Sequence, residues 1–204
     1  MQKIMFNDRY GLTQAVIEGR KTMTRRLIPD EFFGLTWDTR GNTLVYENEY
    51  GDFIDVRLSK YTRYKVGEIV AVAQNYFSTY DESKWESGIW YNEFADGSDI
   101  TNHAGWLNKM LVKAEYMPHQ IRITGIHCER LQDISDAECL KEGVRVEFAR
   151  NGSPMYYYFD TARWREVWFD TPREAFAALI DKVSGWGTWA SNPWVVVYEF
   201  ELVK

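Results

Sequence analysis

Cysteine is nearly missing from this chain of 204 residues; Cys128 and Cys139 are the two present, and they form no CxxC pair. Histidine is as sparse, at positions 103, 119 and 127. The scatter excludes a recognisable zinc-ligand spacing. His127 and Cys128 are neighbours in a predicted strand, where successive side chains point to opposite faces, so they do not readily share a metal. No metal and no other cofactor is expected. Long apolar runs are also missing: none reaches ~18 residues, and the start of the sequence lacks a signal-like charged and apolar pair of regions. The expectation is a cytoplasmic protein without a membrane partner. A positive balance is missing too. The formal net charge is −6, which excludes the global basic footprint of a general nucleic-acid binder and leaves any anionic partner to a local patch.

What the chain does have is aromatic side chains: 9 Trp, 13 Tyr and 11 Phe. Large rings fill a β-rich core and also offer stacking surfaces for bases. Core filling is the expectation for most, including Trp164 and Trp168. The local basic patch is Gly19-Arg20-Lys21-Thr22-Met23-Thr24-Arg25-Arg26, four cations and two hydroxyls in eight residues.

The elements around that patch follow from spacing. A helix is predicted from Asp8 to Glu18, closed by Gly19 at its C-terminus. Thr43–Tyr46 and Phe53–Val56 flank a turn containing Gly51 and Asp52 and read as a hairpin. A strand is predicted over Glu68–Gln74, and another over Ile121–Leu131 with a bend at Gly125. Ser135 and Glu138 form a capping box for a short helix stopped by Gly143. Thr171-Pro172-Arg173-Glu174 starts the most regular helix, whose apolar positions Ala175, Phe176, Leu179, Ile180 and Val183 recur at helical spacing before Gly185. The last strand is Trp194–Leu202. Residues 78–108 lack clear periodicity and read as a long insertion or lid on a single domain spanning 1–204. Strands and short helices without a βαβ rhythm indicate an α+β fold with a mainly antiparallel, barrel-like sheet.

Chemistry is expected from Lys21 and Thr24. Residues three apart in a strict strand face opposite sides, so the turn at Gly19 is what would bring ammonium and hydroxyl together. A desolvated lysine can lose its proton and act as base toward a threonine hydroxyl. Glu142 is the third candidate: at a helix C-terminus the dipole disfavours an anion by ~0.3–1 kcal/mol, so its carboxylate is either solvated or compensated by a cation.

At residues 19–26 the chain resembles the G-x-K-x-x-T-x-R signature of ASCH (activating signal cointegrator homology) domains, within the PUA-like superfamily, and most of all their phage and prophage branch. Val66–Val70, Glu129–Gly143, Trp186 and Asn192–Phe200 resemble further family segments; 78–108 and 144–165 are not covered. The resemblance implies a PUA-like β-barrel with short flanking helices and a cleft lined by Gly19–Arg26 that binds RNA or a modified nucleoside. In that cleft Arg20, Arg25 and Arg26 would hold phosphate and Tyr76 or Trp186 would stack on a base. One group of the family hydrolyses N4-acetylcytidine with a Lys, a Thr and a Glu. Mapped onto this sequence these are Lys21 as base, Thr24 as nucleophile and Glu142 as the orienting or proton-shuttling group. The chain is longer than those compact amidohydrolases. A third alternative is a phage accessory protein that acts through protein contacts.

Overall fold

Gly11 and Gly19 set the limits of the first helix. Both adopt left-handed backbone, with φ of 65° and 71°, which glycine reaches without a Cβ penalty. The helix predicted across Asp8–Glu18 is therefore split into a 3-10 turn at Asp8–Tyr10 and a helix over Leu12–Ile17. The computed structural model describes residues 1–28, 34–59, 62–79 and 100–203; part of the expected insertion, 80–99, lies outside the described residues.

In chain order the elements begin with β1 (Lys3–Ile4), α1 (Leu12–Ile17), β2 (Met23–Leu27), β3 (Thr36–Asp38), β4 (Thr43–Glu47), β5 (Phe53–Asp55), β6 (Ile69–Val72) and α2 (Tyr76–Thr79). They continue with β7 (Gln120–Arg130), α3 (Asp136–Lys141), β8 (Arg145–Phe148), β9 (Pro154–Asp160), β10 (Arg165–Phe169), α4 (Pro172–Ser184), α5 (Thr188–Ser191) and β11 (Trp194–Leu202). The fold is α+β, rich in sheet and with few helices. It divides into two compact units, one from residues 1–6, 69–121 and 203–204, the other from 7–68 and 122–202.

In the first unit β1 pairs in parallel with β6, Lys3 opposite Ala71 and Ile4 opposite Val72. Its core is Ala71, Ala73, Tyr76, Val112 and Met117, with Met5 and Trp106 against it. Gly105 makes this possible: a Cβ there would lie 2.6 Å from the Tyr76 ring. Lys3 Nζ donates to the Met110 and Val112 carbonyls at 2.7 Å, and Lys109 Nζ returns a bond to the Phe6 carbonyl at 2.6 Å.

The second unit carries the sequence motif. Here β2 pairs antiparallel with β11, placing Thr24 opposite Tyr198 and Arg26 opposite Val196. The predicted hairpin is β4–β5, extended by β3. A further antiparallel sheet, β10-β9-β8, occupies residues 145–169, most of which lie in the stretch 144–165 that the family resemblance does not cover. Helix α4 packs on α3, β9 and β10, burying Ala175, Phe176, Leu179 and Ile180 of the apolar positions its spacing predicts, while Val183, in the last turn, is 36% exposed. Thr171 caps it by accepting a hydrogen bond from the Glu174 N–H.

Two expectations need correction. The described strands do not close into a barrel: β2 has no strand on its second edge, and both three-stranded sheets end in open edges. Closure requires the first and last strands to pair, and none of these sheets does so. Trp164 is not core, being 82% exposed on a left-handed turn residue, and Trp168 is 37% exposed, its ring packed against Tyr157. No helix among the described residues is long and apolar enough to cross a membrane.

Candidate functional site

The site grows from the end of α1. The Ala15 carbonyl accepts from the N–H groups of both Arg20 and Lys21 at 2.9 Å, which coils the chain tightly after Gly19. Thr22 N–H then donates to the Lys141 carbonyl at 3.0 Å, and Phe200 N–H donates to the Thr22 carbonyl at 2.9 Å. The motif is thus clamped between the last turn of α3 and the final strand before it enters β2.

This coil sends the Lys21 side chain inward, 2% exposed. Its Nζ donates to Met23 O at 2.8 Å, to Glu142 O at 2.7 Å and to Glu142 Oε2 at 2.6 Å. An ammonium has three donors, and these three acceptors take them. Burial lowers the Lys21 pKa; the Glu142 charge and hydrogen bond oppose that, while Arg26 and Arg25 add to it. Glu142 is the compensated carboxylate, not the solvated one. Its second oxygen accepts from Arg25 Nη1 at 3.1 Å.

Arg25 sits on the same face of β2 as Met23, as alternation requires, and Nη1 also lies 3.2 Å from Met23 Sδ. Its guanidinium is 1% exposed and spans three carboxylates: Glu129 at 2.6 Å, Glu142 at 3.1 Å and Glu138 at 3.4 Å. Burial would raise the Glu138 carboxyl, but the Ser135 backbone and side-chain hydrogen bonds, with Arg25 and His127, hold it below the usual range. The capping box predicted from Ser135 and Glu138 forms, and the same Glu138 also joins the ion cluster.

Thr24 and Arg26 occupy the opposite face. Thr24 is 5% exposed; among the described residues its hydroxyl makes no hydrogen bond with Lys21 or Glu142. Tyr198, its cross-strand partner, shares that face, meets Tyr64 edge-to-face at 5.2 Å and accepts from Arg63 N–H at 3.0 Å. Arg26 keeps exposed area, yet desolvation is the largest influence on it and lowers its pKa, with Tyr64, Glu142 and Tyr198 opposing. Burial likewise raises the Tyr64 and Tyr198 phenols.

The sequence-derived candidates therefore separate. Lys21 and Glu142 meet, Thr24 lies on the adjoining strand without bonding to either, and Arg26 is exposed on the same face of β2 as Thr24. Arg25 is buried within ion pairs, which removes it as a phosphate ligand. Arg20 points elsewhere, its Nε 2.7 Å from Glu18 Oε2. Tyr76 is a core residue of the first unit at 1% exposure, so its ring faces neighbours and offers no stacking surface. Trp186 is 91% exposed between Gly185 and Gly187. Sequence reasoning missed Glu129, Tyr64 and Tyr198; the Glu129-Arg130 pair within the motif-like segment was the available signal for the first, and nothing marked the tyrosines. Among the described residues no group of three or more His, Cys, Asp or Glu is arranged to hold a metal ion. Comparison with protein-family models, curated proteins and solved structures finds no match for this chain.

Proposed function

We propose that the second unit is an ASCH-type, PUA-like binding module that takes RNA or a modified nucleoside on the face of β2 that presents Arg26, above Thr24, Tyr64 and Tyr198. The observation that supports binding over turnover is the state of Lys21. All three of its ammonium donors have acceptors within 2.6–2.8 Å. Removing the proton would leave one buried oxygen without a donor, which typically costs ~1–3 kcal/mol. Lys21 then acts as a strut that holds β2 against α3, and recognition falls to the exposed Arg26 guanidinium, whose plane suits the face of a base, with Thr24, Tyr64 and Tyr198, each at most 5% exposed, packed behind it. The test is calorimetric titration with cytidine, N4-acetylcytidine and a short single-stranded RNA. Arg26→Gln and Thr24→Val should each weaken binding at least fivefold while leaving the melting temperature in place. Failure of every ligand to bind overturns the proposal.

A second reading, an amidohydrolase of acylated cytidine, is favoured by one observation: Lys21, three residues before Thr24, is buried against Glu142, and burial lowers its pKa. Thr24 Oγ1 would attack the acetyl carbon, pass its proton to Lys21, release cytidine and leave an ester for water to cleave to acetate. Acetate release that is lost in Thr24→Val decides for it; binding of N4-acetylcytidine without acetate release decides against it.

A further inference from the structure

Lys21 and Glu142 turn their side chains into the ion cluster, while the residues beside them, Arg20 and Lys141, line an open groove of about 420 Å³. The two segments are joined by the Thr22 N–H to Lys141 carbonyl bond of 3.0 Å. Neighbouring Cα atoms lie about 3.8 Å apart, so one layer of backbone separates the buried cluster from the groove. Arg145 adds a third cation, and Leu140, Val144 and Tyr157 form an apolar and aromatic lining. Every charged residue lining the groove is a cation, in a chain whose formal net charge is −6. Of the neighbouring carboxylates, Glu18 is ion-paired with Arg20, and Glu147 accepts from the Tyr157 hydroxyl at 3.0 Å while keeping its charge. Arg20 is paired with Glu18, its Nη2 2.6 Å from Oε2 and itself sealed from solvent, so the groove's available charge is carried by Lys141 and Arg145. Lys141 is exposed and has no ion-pair partner among the described residues. Arg145 lies over the Tyr157 ring at 6.0 Å.

We infer that this groove binds a backbone phosphate of a single-stranded polynucleotide. The inference rests on the nucleoside-binding proposal and deepens it: the partner is a chain, and the groove supplies the contacts that a free nucleoside cannot make. Phosphate contacts by lysine and arginine position a nucleic acid without reading its sequence. In an acidic protein such a local cationic groove is what makes association with a polyanion feasible.

The experiment compares the intact chain with the double variant Lys141→Gln/Arg145→Gln, using a fluorescent single-stranded RNA twelve-mer, a free nucleoside and inorganic phosphate as probes. In the variant, RNA affinity at 50 mM salt should fall roughly tenfold, and the log–log salt slope should become shallower by roughly 0.7 for each phosphate that the groove no longer neutralises. Affinity for the free nucleoside should not change, and the melting temperature should stay in place. Equal RNA affinity and salt slope in both proteins overturn the inference. If the nucleoside binds and the RNA does not, the inference fails and the nucleoside proposal stands. If RNA binding depends on the groove and no nucleoside binds, the groove stands and the nucleoside proposal fails. Inorganic phosphate binding to the groove without any RNA binding identifies a small-anion site and also overturns it.

Discussion

Lys21 Nζ lies 2.6 Å from Glu142 Oε2, with side-chain exposures of 2% and 6% and a separation of 121 positions along the chain. The pair ties the loop after α1 to the end of α3, and through Arg25 it reaches β7. It is the mechanical centre of the motif. Taking two charges out of water is costly, and the attraction offsets that cost only when both partners are present.

Single substitutions should therefore be severe and the double one mild. Lys21→Met leaves Glu142 with Arg25 as its cation, and Glu142→Leu leaves Lys21 facing two carbonyls. Each should lower unfolding free energy by about 3 kcal/mol or more. The Lys21→Met/Glu142→Leu variant should lose clearly less than the sum, because both charges leave together. Urea unfolding of the four proteins gives the coupling; strict additivity would show that the contact carries none.

Arg25 is the counter-charge for three carboxylates, Glu129, Glu138 and Glu142. Arg25→Gln should cost about 3–5 kcal/mol at pH 7 by leaving buried like charges together. The deficit should shrink as pH falls toward 4, for two reasons. Protonation relieves the repulsion in the variant. In the parent, Glu138 is held below the usual carboxylate range, so its stabilisation is present above the unfolded pKa and fades as pH drops through the folded one. A pH series of denaturant midpoints tests this; a gap that stays constant or widens in acid would count against the cluster.

Much of this was legible in local chemistry. The β4–β5 hairpin appears where Gly51 allowed a tight turn, with φ of 83°, and α3 and α4 begin at Ser135 and Thr171, as their caps specify. Gly125 was legible as an irregularity but not in kind: its missing Cβ lets the Glu199 side chain approach, with Cδ 3.2 Å from where a Cβ would sit. What stayed hidden was long-range. Glu129 and Arg25 are 104 residues apart, and no local pattern announces their contact. Strand β9 carries Met155-Tyr156-Tyr157-Tyr158-Phe159, rings on both faces, so the period-two signal is absent. Tyr76 and Trp186 were equivalent as rings in the sequence; only packing around Gly105 buries one, and only the turn of Gly185 and Gly187 exposes the other.

Gly143 supports the site by what it lacks. Its φ is 110°, and a Cβ there would fall 2.9 Å from Leu12 Cδ2 and 3.7 Å from Lys21 Cδ. Gly143→Ala combines backbone strain of ~1–3 kcal/mol with a contact that forces the buried Leu12 side chain to shift. It should lower stability by about 2 kcal/mol or more and weaken nucleoside binding by shifting α1 and Lys21. The comparison variant Gly152→Ala, also at positive φ but with open space around its Cβ position, should cost stability without touching binding. Equal effects of the two on ligand affinity would refute the packing role of Gly143.

The two thiols predict an alkaline limb. Cys128 and Cys139 are 5% and 0% exposed, and burial pushes both from 9.0 up to about 12. In the native state they stay protonated across a range in which the unfolded chain ionises. The unfolded state then binds fewer protons, so stability falls as pH rises. The contribution is intact below pH 9 and is progressively lost between 9 and 12. At pH 10 the unfolded thiol is ionised about ten to one, which is worth about 1 kcal/mol per thiol. The parent should thus lose about 2–3 kcal/mol between pH 8 and pH 10 that a Cys128→Ala/Cys139→Ala variant does not lose. Both thiols should also resist Ellman's reagent at pH 8 until the protein is unfolded, since the thiolate is the reactive form. Parallel stability curves for the two proteins, or prompt labelling of the native state, would show that these sulfurs are not sealed in the core.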